Sequence, residues 1–391
     1  MCIRDSLCSG PAGPCWLTPR SASGFLQVLH SCTTLSFFGS YFVNSPPEAT
    51  KFNPNLQNMK NLLLILSMLT GLFITNACTT SSDTEEQGIP VIFDTDANNE
   101  LDDQHALAYL LLNDQTFNVL GITTNATRNG GEIDEHMKEA QRIVDLVGWK
   151  NEVEVIKGAN GNFEDIRTSL DQEVFDGSEA VDFIIEEAMK KRKEPQVLLP
   201  VGKLTNVALA LEKEPAIAKK VRIVWLGSNY PEPGEYNQVN DTASMNYILN
   251  MDVPFEMVTV RYGEPSGTAA VKAKRKDIYV RMPGLGPVVD EPVTGRHGGS
   301  FSCFGDYSVD LFRHIKHLED GCFRSLFDMA AVAIVKDPSW AKATEIPCPV
   351  LVNNSWVEQP DNPRSITVWE DFNKEEIITD LYTTLENPQG Q

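Results

Sequence analysis

Short apolar runs alternate along the chain with longer segments whose apolar residues recur every three to four positions, from about residue 89 onward. Such runs are typical of strands buried on both faces, and the three-to-four spacing is typical of helices. The pattern predicts strands at 89–93, 119–124, 153–156, 197–201, 221–226 and 255–260, and helices at 101–112, 132–147, 178–191 and 204–211. This alternation predicts an α/β fold, with an open, mostly parallel, Rossmann-like sheet, helices on both faces and a single large domain at 89–391.

The first 88 residues lack this alternation. Residues 1–58 show no sustained period of 2 or 3.6 and are rich in Ser, Pro, Gly and Cys. We interpret them as a mis-called leader, that is, a segment before the true start of the protein at Met59. A small disulfide-bearing domain is the alternative. Lys60 and a 13-residue apolar run at 62–74 then have the order and length of a signal peptide, because the run is too short to span a bilayer comfortably.

The predicted signal peptide at 59–78 has a lipobox-like end, Thr75-Asn76-Ala77-Cys78, and a polar tether follows at 79–88. A small residue before a lone cysteine resembles a bacterial lipoprotein signal, although Thr75 stands where such signals prefer Leu. The resemblance predicts lipidation of Cys78, and a plain secretory signal is the alternative. We expect an exported protein, periplasmic or anchored to the outer membrane of a bacterium, that meets the membrane only through a lipid anchor.

Composition and charge narrow the function classes. Apolar residues make up 42% of the chain and charged residues 22%, so the chain can bury a core. The 54 acidic and 33 basic residues give a net charge of −21, which argues against a nucleic acid polymer as the partner because phosphates need a basic surface. Cys303, Cys322 and Cys348 fit no zinc spacing, and we interpret them as small buried side chains.

An acidic cluster follows the first predicted strand. Five acidic residues fall within ten positions: Asp94, Asp96, Glu100, Asp102 and Asp103. Like charges so close repel each other, and the N-terminus of the following helix offsets only roughly 0.3–1 kcal/mol per charge. A bound divalent cation offsets far more. Since the cluster has oxygen donors and neither His nor Cys beside it, it predicts Ca²⁺ or Mg²⁺; a solvated acidic loop is the alternative.

Polar residues also follow the later strands, at the edge of the sheet where ligands bind in folds of this kind. These residues are Thr123, Asn125 and Asn129 after the second strand, Val201 to Asn206 after the fourth, and Asn229, Glu235 and Asn237 after the fifth. Asp328 opens an apolar helix near the C-terminus. A single Asn or Thr in such a place is usually a turn or cap residue, but their recurrence at successive strand ends favours a common site.

Taken in order, these blocks resemble the inosine/uridine-preferring nucleoside hydrolase family over about 89–340. The family motif D-T-D-P-G-x-D-D is matched at 94–96 and 102–103, with five intervening residues where the family usually has three. Residues 201–206 are similar to its T/V-G-x-L-T-N turn. The spacing of Asn229, Glu235 and Asn237 matches its N-x(5)-E-x-N ribose block. The longer loop indicates a divergent branch.

The resemblance implies hydrolysis of the N-glycosidic bond of a ribonucleoside, a small-molecule substrate, to free base and ribose. It implies that calcium is held by Asp96, Asp103, Asp328 and the main-chain carbonyl of Val201. Asp96 also takes a proton from the attacking water, which Asn125 or Asn129 orients. The implied ribose ligands are Asp102, Asn229, Glu235 and Asn237. Members of the family often form homo-oligomers.

One departure leaves the activation of the leaving group open. Many family members have His directly before the last metal-binding Asp, but this chain has Phe327 there. His297 and Tyr230 are weak candidates to replace it. A nucleoside- or sugar-binding lipoprotein without turnover is therefore one alternative. A haloacid-dehalogenase-like Mg²⁺ phosphatase is a second, because 305–310 mimics its G-D-x(3)-D motif.

Overall fold

The computed structural model describes residues 88–388, which lie within one compact unit, Ser82–Gln391. The predicted leader, the signal peptide, Cys78 and most of the tether lie outside the described residues. The described strands are β1 (Ile89–Thr95), β2 (Phe117–Thr124), β3 (Val155–Ile156), β4 (Gln196–Pro200), β5 (Val221–Ser228), β6 (Phe255–Thr259), β7 (Lys272–Lys274), β8 (Val293–Thr294), β9 (Ser300–Phe301), β10 (Phe323–Ser325), β11 (Lys342–Pro347), β12 (Val350–Val352), β13 (Ser355–Val357) and β14 (Ser365–Glu370).

Eight of these strands form one sheet in the order β11-β14-β6-β5-β4-β1-β2-β3. Neighbouring strands are parallel except β11 and β14, which pair antiparallel at the edge. Val91 in β1 lies opposite Val119 in β2 on one side and Val197 in β4 on the other. The strand order reverses between β1 and β4, which is where ligand crevices form in such sheets. The prediction of a mostly parallel sheet is confirmed.

The helices lie close to the predicted positions where the pattern was long. They are α1 (Asp102–Leu111), α2 (Ile133–Leu146), α3 (Phe163–Ile166), α4 (Ser178–Met189), α5 (Thr205–Lys213), α6 (Tyr236–Asn240), α7 (Thr242–Leu249), α8 (Arg275–Arg281), α9 (Phe304–His314), α10 (Phe327–Lys336) and α11 (Lys374–Glu386). A serine at the start of the helix predicted at 178–191 favours an N-cap at Ser178, and the structure differs in this detail. Gly177, at φ 85°, is the N-cap of α4, and Ser178 is its first helical residue.

The core has two halves, one on each face of the sheet. Val91 and Phe93 point into the half that includes α1, α2 and α10, whereas Ile92 between them points into the half that includes α4, α5 and α7. Successive side chains of a strand face opposite sides, so an uninterrupted apolar run is what a strand covered on both faces requires. The prediction of helices on both faces is confirmed.

Asp94 joins the ends of β1, β2 and the turn after β4 on the carboxyl edge of the sheet. Its carboxylate accepts hydrogen bonds from Thr123 Oγ1 (2.6 Å), Asn125 Nδ2 (2.8 Å) and Asn206 Nδ2 (2.7 Å). Its main-chain carbonyl accepts from the N–H of Val201 at 2.8 Å. Burial raises the pKa of Asp94 to about 6, while these three side-chain donors favour its ionised form. The strand ends are thereby held in fixed register beneath the candidate site.

Three further points concern parts of the structure away from this edge: the cysteines, the 305–310 motif and the length of the helices. Cys303 and Cys348 are buried, as expected of small core side chains, and within residues 88–388 neither they nor Cys322 form a disulfide. The G-D-x(3)-D mimic at 305–310 lies inside α9 and does not follow a buried strand, so it lacks the setting of a phosphatase motif. None of the described helices combines the length and apolar character needed to cross a membrane.

Candidate active site

A cavity of about 600 Å³ opens at the carboxyl edge of the sheet, a size typical of small-ligand sites. Its inner wall is acidic and carries Asp96, Asp102, Asp103, Glu235 and Asp328. The predicted residues Asn129, Val201 and Asn237 also line it. The strand-end residues that the sequence singled out thus converge, in large part, on one cavity.

Three carboxylates meet at the floor of the cavity. Asp102 and Asp103 occupy the first turn of α1, and Asp328 occupies the first turn of α10. One oxygen of each lies within 4.8 Å of the others, and all three residues are buried. Helix N-termini favour negative charge, but two partial dipoles balance only part of three full charges.

The pKa values at the floor reflect this uncompensated charge. Burial raises the pKa of Asp102 to about 7, with the nearby Asp96 adding to the effect. Burial also raises the pKa of Asp103 and of Asp328 well above the ordinary value, and repulsion from the other acidic side chains adds to both shifts. Thr95 Oγ1 donates a hydrogen bond to Asp103 Oδ1, which offsets little of this charge. The floor therefore needs protons or a cation.

Asp96 lies beside this floor and is held by a short relay. Thr127 Oγ1 donates a hydrogen bond to Asp96 Oδ2, and Tyr236 Oη donates to Thr127 Oγ1 at 3.2 Å. Burial raises the pKa of Asp96, while the Thr127 hydroxyl lowers it. The relay occupies Oδ2 and fixes the carboxylate plane. A carboxylate held in this way is suited to accept a proton from a bound molecule.

Glu235, Asn237 and Val201 are positioned by the turns after β4 and β5. Glu235 is the N-cap of α6, and its Oε2 accepts from the N–H of Gln238 at 3.0 Å. Asn237 Nδ2 donates to the carbonyls of Val201 (2.6 Å) and Leu226 (3.1 Å), which ties the ends of β4 and β5 together. Burial raises the pKa of Glu235 to about 7. These residues form one side wall of the cavity.

Asn125 and Asn229 are not among the residues that line the cavity. Asn125 is buried beneath it, where its amide serves Asp94. Asn229 Oδ1 accepts from the N–H of Tyr262 at 2.9 Å, and its Nδ2 donates to the carbonyl of Pro233 at 3.4 Å. The sequence left open whether Asn125 or Asn129 orients water, and of the two the cavity is lined by Asn129. The roles predicted for Asn125 and Asn229 stay predictions.

The cavity is also lined by Tyr262 and Arg324, which sequence reasoning missed, and both lie beside Phe327. The Tyr262 and Phe327 rings meet edge to face, with centroids 5.9 Å apart. The guanidinium of Arg324 lies 5.6 Å from the Phe327 ring centroid and pairs with Glu100. Tyr262 follows β6, so the strand-end rule applied to that strand would have found it. Arg324 lies on β10, outside the main sheet, where no local pattern marks it.

The two weak candidates for activating a leaving group do not line the cavity. Tyr230 Oη donates to Glu358 Oε1, and the tyrosine is buried in the half of the core that includes α4, α5 and α7. His297 lies between β8 and β9, where its ring stacks on that of His314. Arg324 lines the cavity and places its cationic group over the ring of Phe327.

The donor set at the floor suits a hard divalent cation. Every ligand atom offered by Asp102, Asp103 and Asp328 is a carboxylate oxygen, and Asp96 and Val201 line the same cavity. Calcium and magnesium prefer such oxygens, whereas zinc prefers nitrogen and sulfur. The buried carboxylates of the floor give it excess negative charge, which a positive ion would balance. The residues present therefore fit a divalent cation on both donor chemistry and charge.

Comparison with known proteins agrees with this site. A family model described as inosine-uridine preferring nucleoside hydrolase matches residues 91–379. The chain is 25% identical over 186 residues to the inosine-uridine preferring nucleoside hydrolase of Leishmania major, covering 46% of this chain and 54% of that protein. A plant nucleoside hydrolase structure is similar at 18% identity and a TM-score of 0.58, covering 77% of this chain and 99% of that chain. The structure of a purine-preferring ribonucleoside hydrolase from Gardnerella vaginalis is similar at 22% identity and a TM-score of 0.56. That match covers 76% of this chain and 98% of the Gardnerella chain.

These matches are to hydrolases that act on N-glycosyl bonds. The chain belongs to the inosine-uridine preferring nucleoside hydrolase family, because the family model spans most of the described residues. The chain spans about half the length of the Leishmania relative. The solved structures show that the chain shares their fold. The phosphatase alternative is wrong, since its motif lies within a helix and the family is a different one.

We expect the metal-free protein to lose stability as pH rises. Burial raises the pKa of Asp102 and of Glu235 to about 7, so the folded chain holds these protons more tightly than the unfolded chain. Their contribution is complete below about pH 4 and is lost as pH approaches 7. Chelator-treated protein should therefore melt at a lower temperature at pH 8 than at pH 5. At pH 8, calcium at a hundred times its Kd should add about 2.7 kcal/mol, or roughly 5 °C.

Differential scanning calorimetry of two variants provides the control. Asp328→Asn removes one carboxylate from the floor, so its melting temperature should depend less on pH and should not rise with calcium. Asp171→Asn changes an exposed carboxylate and should behave as wild type. Equal melting temperatures of the wild type at both pH values, with no effect of calcium, would contradict this electrostatic account.

Proposed function

We propose that the chain catalyses calcium-dependent hydrolysis of the N-glycosidic bond of ribonucleosides to free base and ribose. The convergence of the buried carboxylates of Asp102, Asp103 and Asp328 on one cavity carries the proposal. Family membership supports the reaction class. The Leishmania relative, described as inosine-uridine preferring, supports a ribonucleoside substrate.

We assign the cation to Asp96, Asp103, Asp328 and the main-chain carbonyl of Val201. All four residues line the same cavity, which supports the assignment. When bound there, calcium supplies Lewis acidity toward water and toward ribose hydroxyls. The Val201 carbonyl accepts one hydrogen bond from Asn237, and a carbonyl oxygen has a second lone pair for a ligand.

Asp96 acts as the general base in this proposal. Its Oδ2 is occupied by the Thr127 hydroxyl, so Oδ1 is the atom that takes the proton from the attacking water. Asn129 lines the cavity and is placed to orient that water, because its own N–H is held by Tyr236 Oη at 3.1 Å. The same Tyr236 hydroxyl holds Thr127, so one side chain fixes both the base and the segment that carries Asn129.

The wall formed by Asp102, Glu235 and Asn237 binds the ribose hydroxyls. Breaking the N-glycosidic bond leaves positive charge on the ribose ring. The fixed carboxylates of this wall stabilise that charge as it develops. A deoxyribose lacking the 2′-hydroxyl leaves buried polar groups without a partner, and sites of this kind reject such substrates strongly. The proposal therefore includes a strong preference for ribonucleosides.

The base leaves toward the part of the cavity lined by Tyr262, Arg324 and Phe327. Cleavage moves the bonding electron pair onto the base nitrogen, so the leaving base needs a proton or a nearby cation. Arg324 supplies the positive charge, because its guanidinium lies over Phe327, the residue next to Asp328. Arg324 Nε is buried and has no hydrogen-bond partner in the described structure, which leaves one donor for the base. The Tyr262 and Phe327 rings offer apolar surface against which a planar base can stack.

A panel of ribonucleosides analysed by liquid chromatography tests the proposed reaction. We expect calcium-dependent release of base from at least one of them, and at least about a hundredfold slower release from its 2′-deoxy analogue. Asp96→Asn removes the general base and should lose at least about a hundredfold in kcat. Asp171→Asn is the matched surface control. Calcium and ribose binding with no base released from any ribonucleoside would instead support the alternative of a binding protein without turnover.

The role of Arg324 is tested with substrates that differ in their leaving group. Arg324→Gln should lose about a hundredfold or more in kcat on a nucleoside, because the departing base loses its cation. On p-nitrophenyl riboside, whose leaving group is already a stable anion, the loss should be less than about tenfold. Arg281→Gln, on the surface of α8, is the control. Equal losses on both substrates would show that Arg324 acts on the fold or on ribose binding and not on the base.

We also propose export as a lipoprotein, with Cys78 as the lipidated residue. The apolar run at 62–74 and the small residues before Cys78 support the proposal. Mass spectrometry of the mature chain made in a bacterium should give an N-terminus at Cys78 carrying acyl groups. A Cys78→Ala variant should lose the acyl groups. A mature wild-type chain that retains the run at 62–74 would contradict export by this route.

A further inference from the structure

A second cluster of ligand side chains lies outside the active-site cavity. It consists of His297, in the turn between β8 and β9, and of Asp310 and His314 on α9. Asp310 and His314 are four residues apart, so they share one face of the helix. The family features described above use none of these three residues. Sequence reasoning considered His297 only for the leaving group and Asp310 only as the end of the 305–310 motif.

The three side chains are spaced for a common cation. His297 Nδ1 lies 3.5 Å from Asp310 Oδ2, and His314 Nδ1 lies 3.4 Å from Asp310 Oδ1. His314 Nδ1 also donates to the main-chain carbonyl of Asp310 at 2.9 Å, so Nε2 is the His314 nitrogen left for a cation. One ligand atom of each residue lies within 4.8 Å of the others. Two ligands at zinc bond lengths of about 2.0–2.1 Å in tetrahedral geometry are themselves about 3.3 Å apart. The two distances above run to different oxygens of Asp310, so the imidazole rings must turn about their side-chain bonds to bring both to one cation.

Asp310 gives a second observation that favours a cation at this place. The residue is 9% exposed, and its Oδ2 is buried without a hydrogen-bond partner in the described structure. This oxygen is the one that faces His297. A buried carboxylate oxygen whose described contact is a ring nitrogen 3.5 Å away is poorly compensated, and a cation bound to it would recover that free energy. The two imidazoles are more exposed, so the site has access to solvent and to the metal.

The turn that carries His297 is built to bring its ring to α9. Its sequence, 295–299, is Gly-Arg-His-Gly-Gly, and Gly298 and Gly299 have φ values of 85° and 82°. Residues with a Cβ rarely adopt this backbone conformation, so glycine is required at both positions. The resulting turn stacks the His297 ring on that of His314, with centroids 4.2 Å apart.

We propose that His297, Asp310 and His314 form a second metal site that binds a borderline divalent cation of the zinc class. Two imidazole nitrogens and one carboxylate oxygen are the donors that zinc prefers. Calcium prefers oxygen donors and is directed to the carboxylate floor of the first site. The two sites therefore sort cations by donor chemistry, and the second does not depend on the hydrolase activity.

A cation in this site ties the turn between β8 and β9 to α9. The turn also carries Arg296, whose Nη1 donates to the carbonyl of Asn98 at 3.4 Å, in the loop between Asp96 and Asp102. Zinc at His297 would thus hold in place a residue that contacts the loop between Asp96 and Asp102, and this makes the site a structural support for that loop.

The test is a titration of the untagged full chain with Zn²⁺ in saturating Ca²⁺, so that the carboxylate floor is already filled. Isothermal titration calorimetry should show one equivalent of zinc in the wild type. Co²⁺ should give visible absorption bands of a nitrogen-ligated site. His297→Gln and His314→Gln each remove one ligand and should weaken zinc binding at least about tenfold.

His317→Gln is the matched control, because it removes an exposed histidine of the same chain outside the cluster and should keep wild-type affinity. Unchanged melting temperatures without zinc would show that the two ligand variants remain folded. The proposal is overturned if the wild type binds no zinc in the presence of calcium. It is also overturned if His297→Gln and His314→Gln bind zinc as tightly as the wild type does.

Discussion

The repulsion between buried carboxylates at one edge of the sheet is the constraint on which the rest of the site depends. Asp102, Asp103 and Asp328 face one another at the floor of the cavity, and two helix N-termini balance only part of their charge. Protons can relieve the repulsion at acidic pH. Near neutral pH a divalent cation is the more effective partner, and the geometry of the floor follows from that need.

A second layer of side chains keeps the floor in place. Asp94 is as buried as the floor residues, but its oxygens accept hydrogen bonds from Thr123, Asn125 and Asn206. These bonds link the ends of β1 and β2 with the turn after β4, and they hold the segments that carry Asp96 and Val201. Two neighbouring carboxylates of one short sequence thus have different tasks: Asp94 organises the strand ends, and Asp96 faces the cavity.

The sequence predicted the parts of the fold and site that depend on local pattern. The apolar run at 89–93 and the helical spacing at 101–112 placed β1 and α1 closely, and Asp102 and Asp103 were expected at a helix N-terminus, where they lie. Asp328 was found in the same way, because a carboxylate opens an apolar helix there. In each case the neighbouring residues determine the structure.

The remaining features depend on contacts between distant segments. Asn125 and Asn129 have similar sequence settings, and only the packing of Asn125 on Asp94 separates the buried amide from the one that lines the cavity. Arg324 lies on β10, which pairs antiparallel with β7 beside the cavity. Both strands are short and of mixed composition, so the sequence pattern does not predict this pair. The cluster of His297 and His314 joins residues of a glycine-rich turn and a helix, so spacing along the chain gives no sign of it.

The central claim is that the carboxylate floor holds a divalent cation in contact with the sugar. A crystal structure of the full chain grown at pH 8 with Ca²⁺ and ribose tests it most directly. The account predicts one calcium ion bound by carboxylate oxygens of Asp103 and Asp328 and by the Val201 carbonyl, with ribose hydroxyls completing its ligands. A floor without calcium, in which protonated carboxyl groups of Asp102, Asp103 and Asp328 hydrogen-bond to one another, would contradict it.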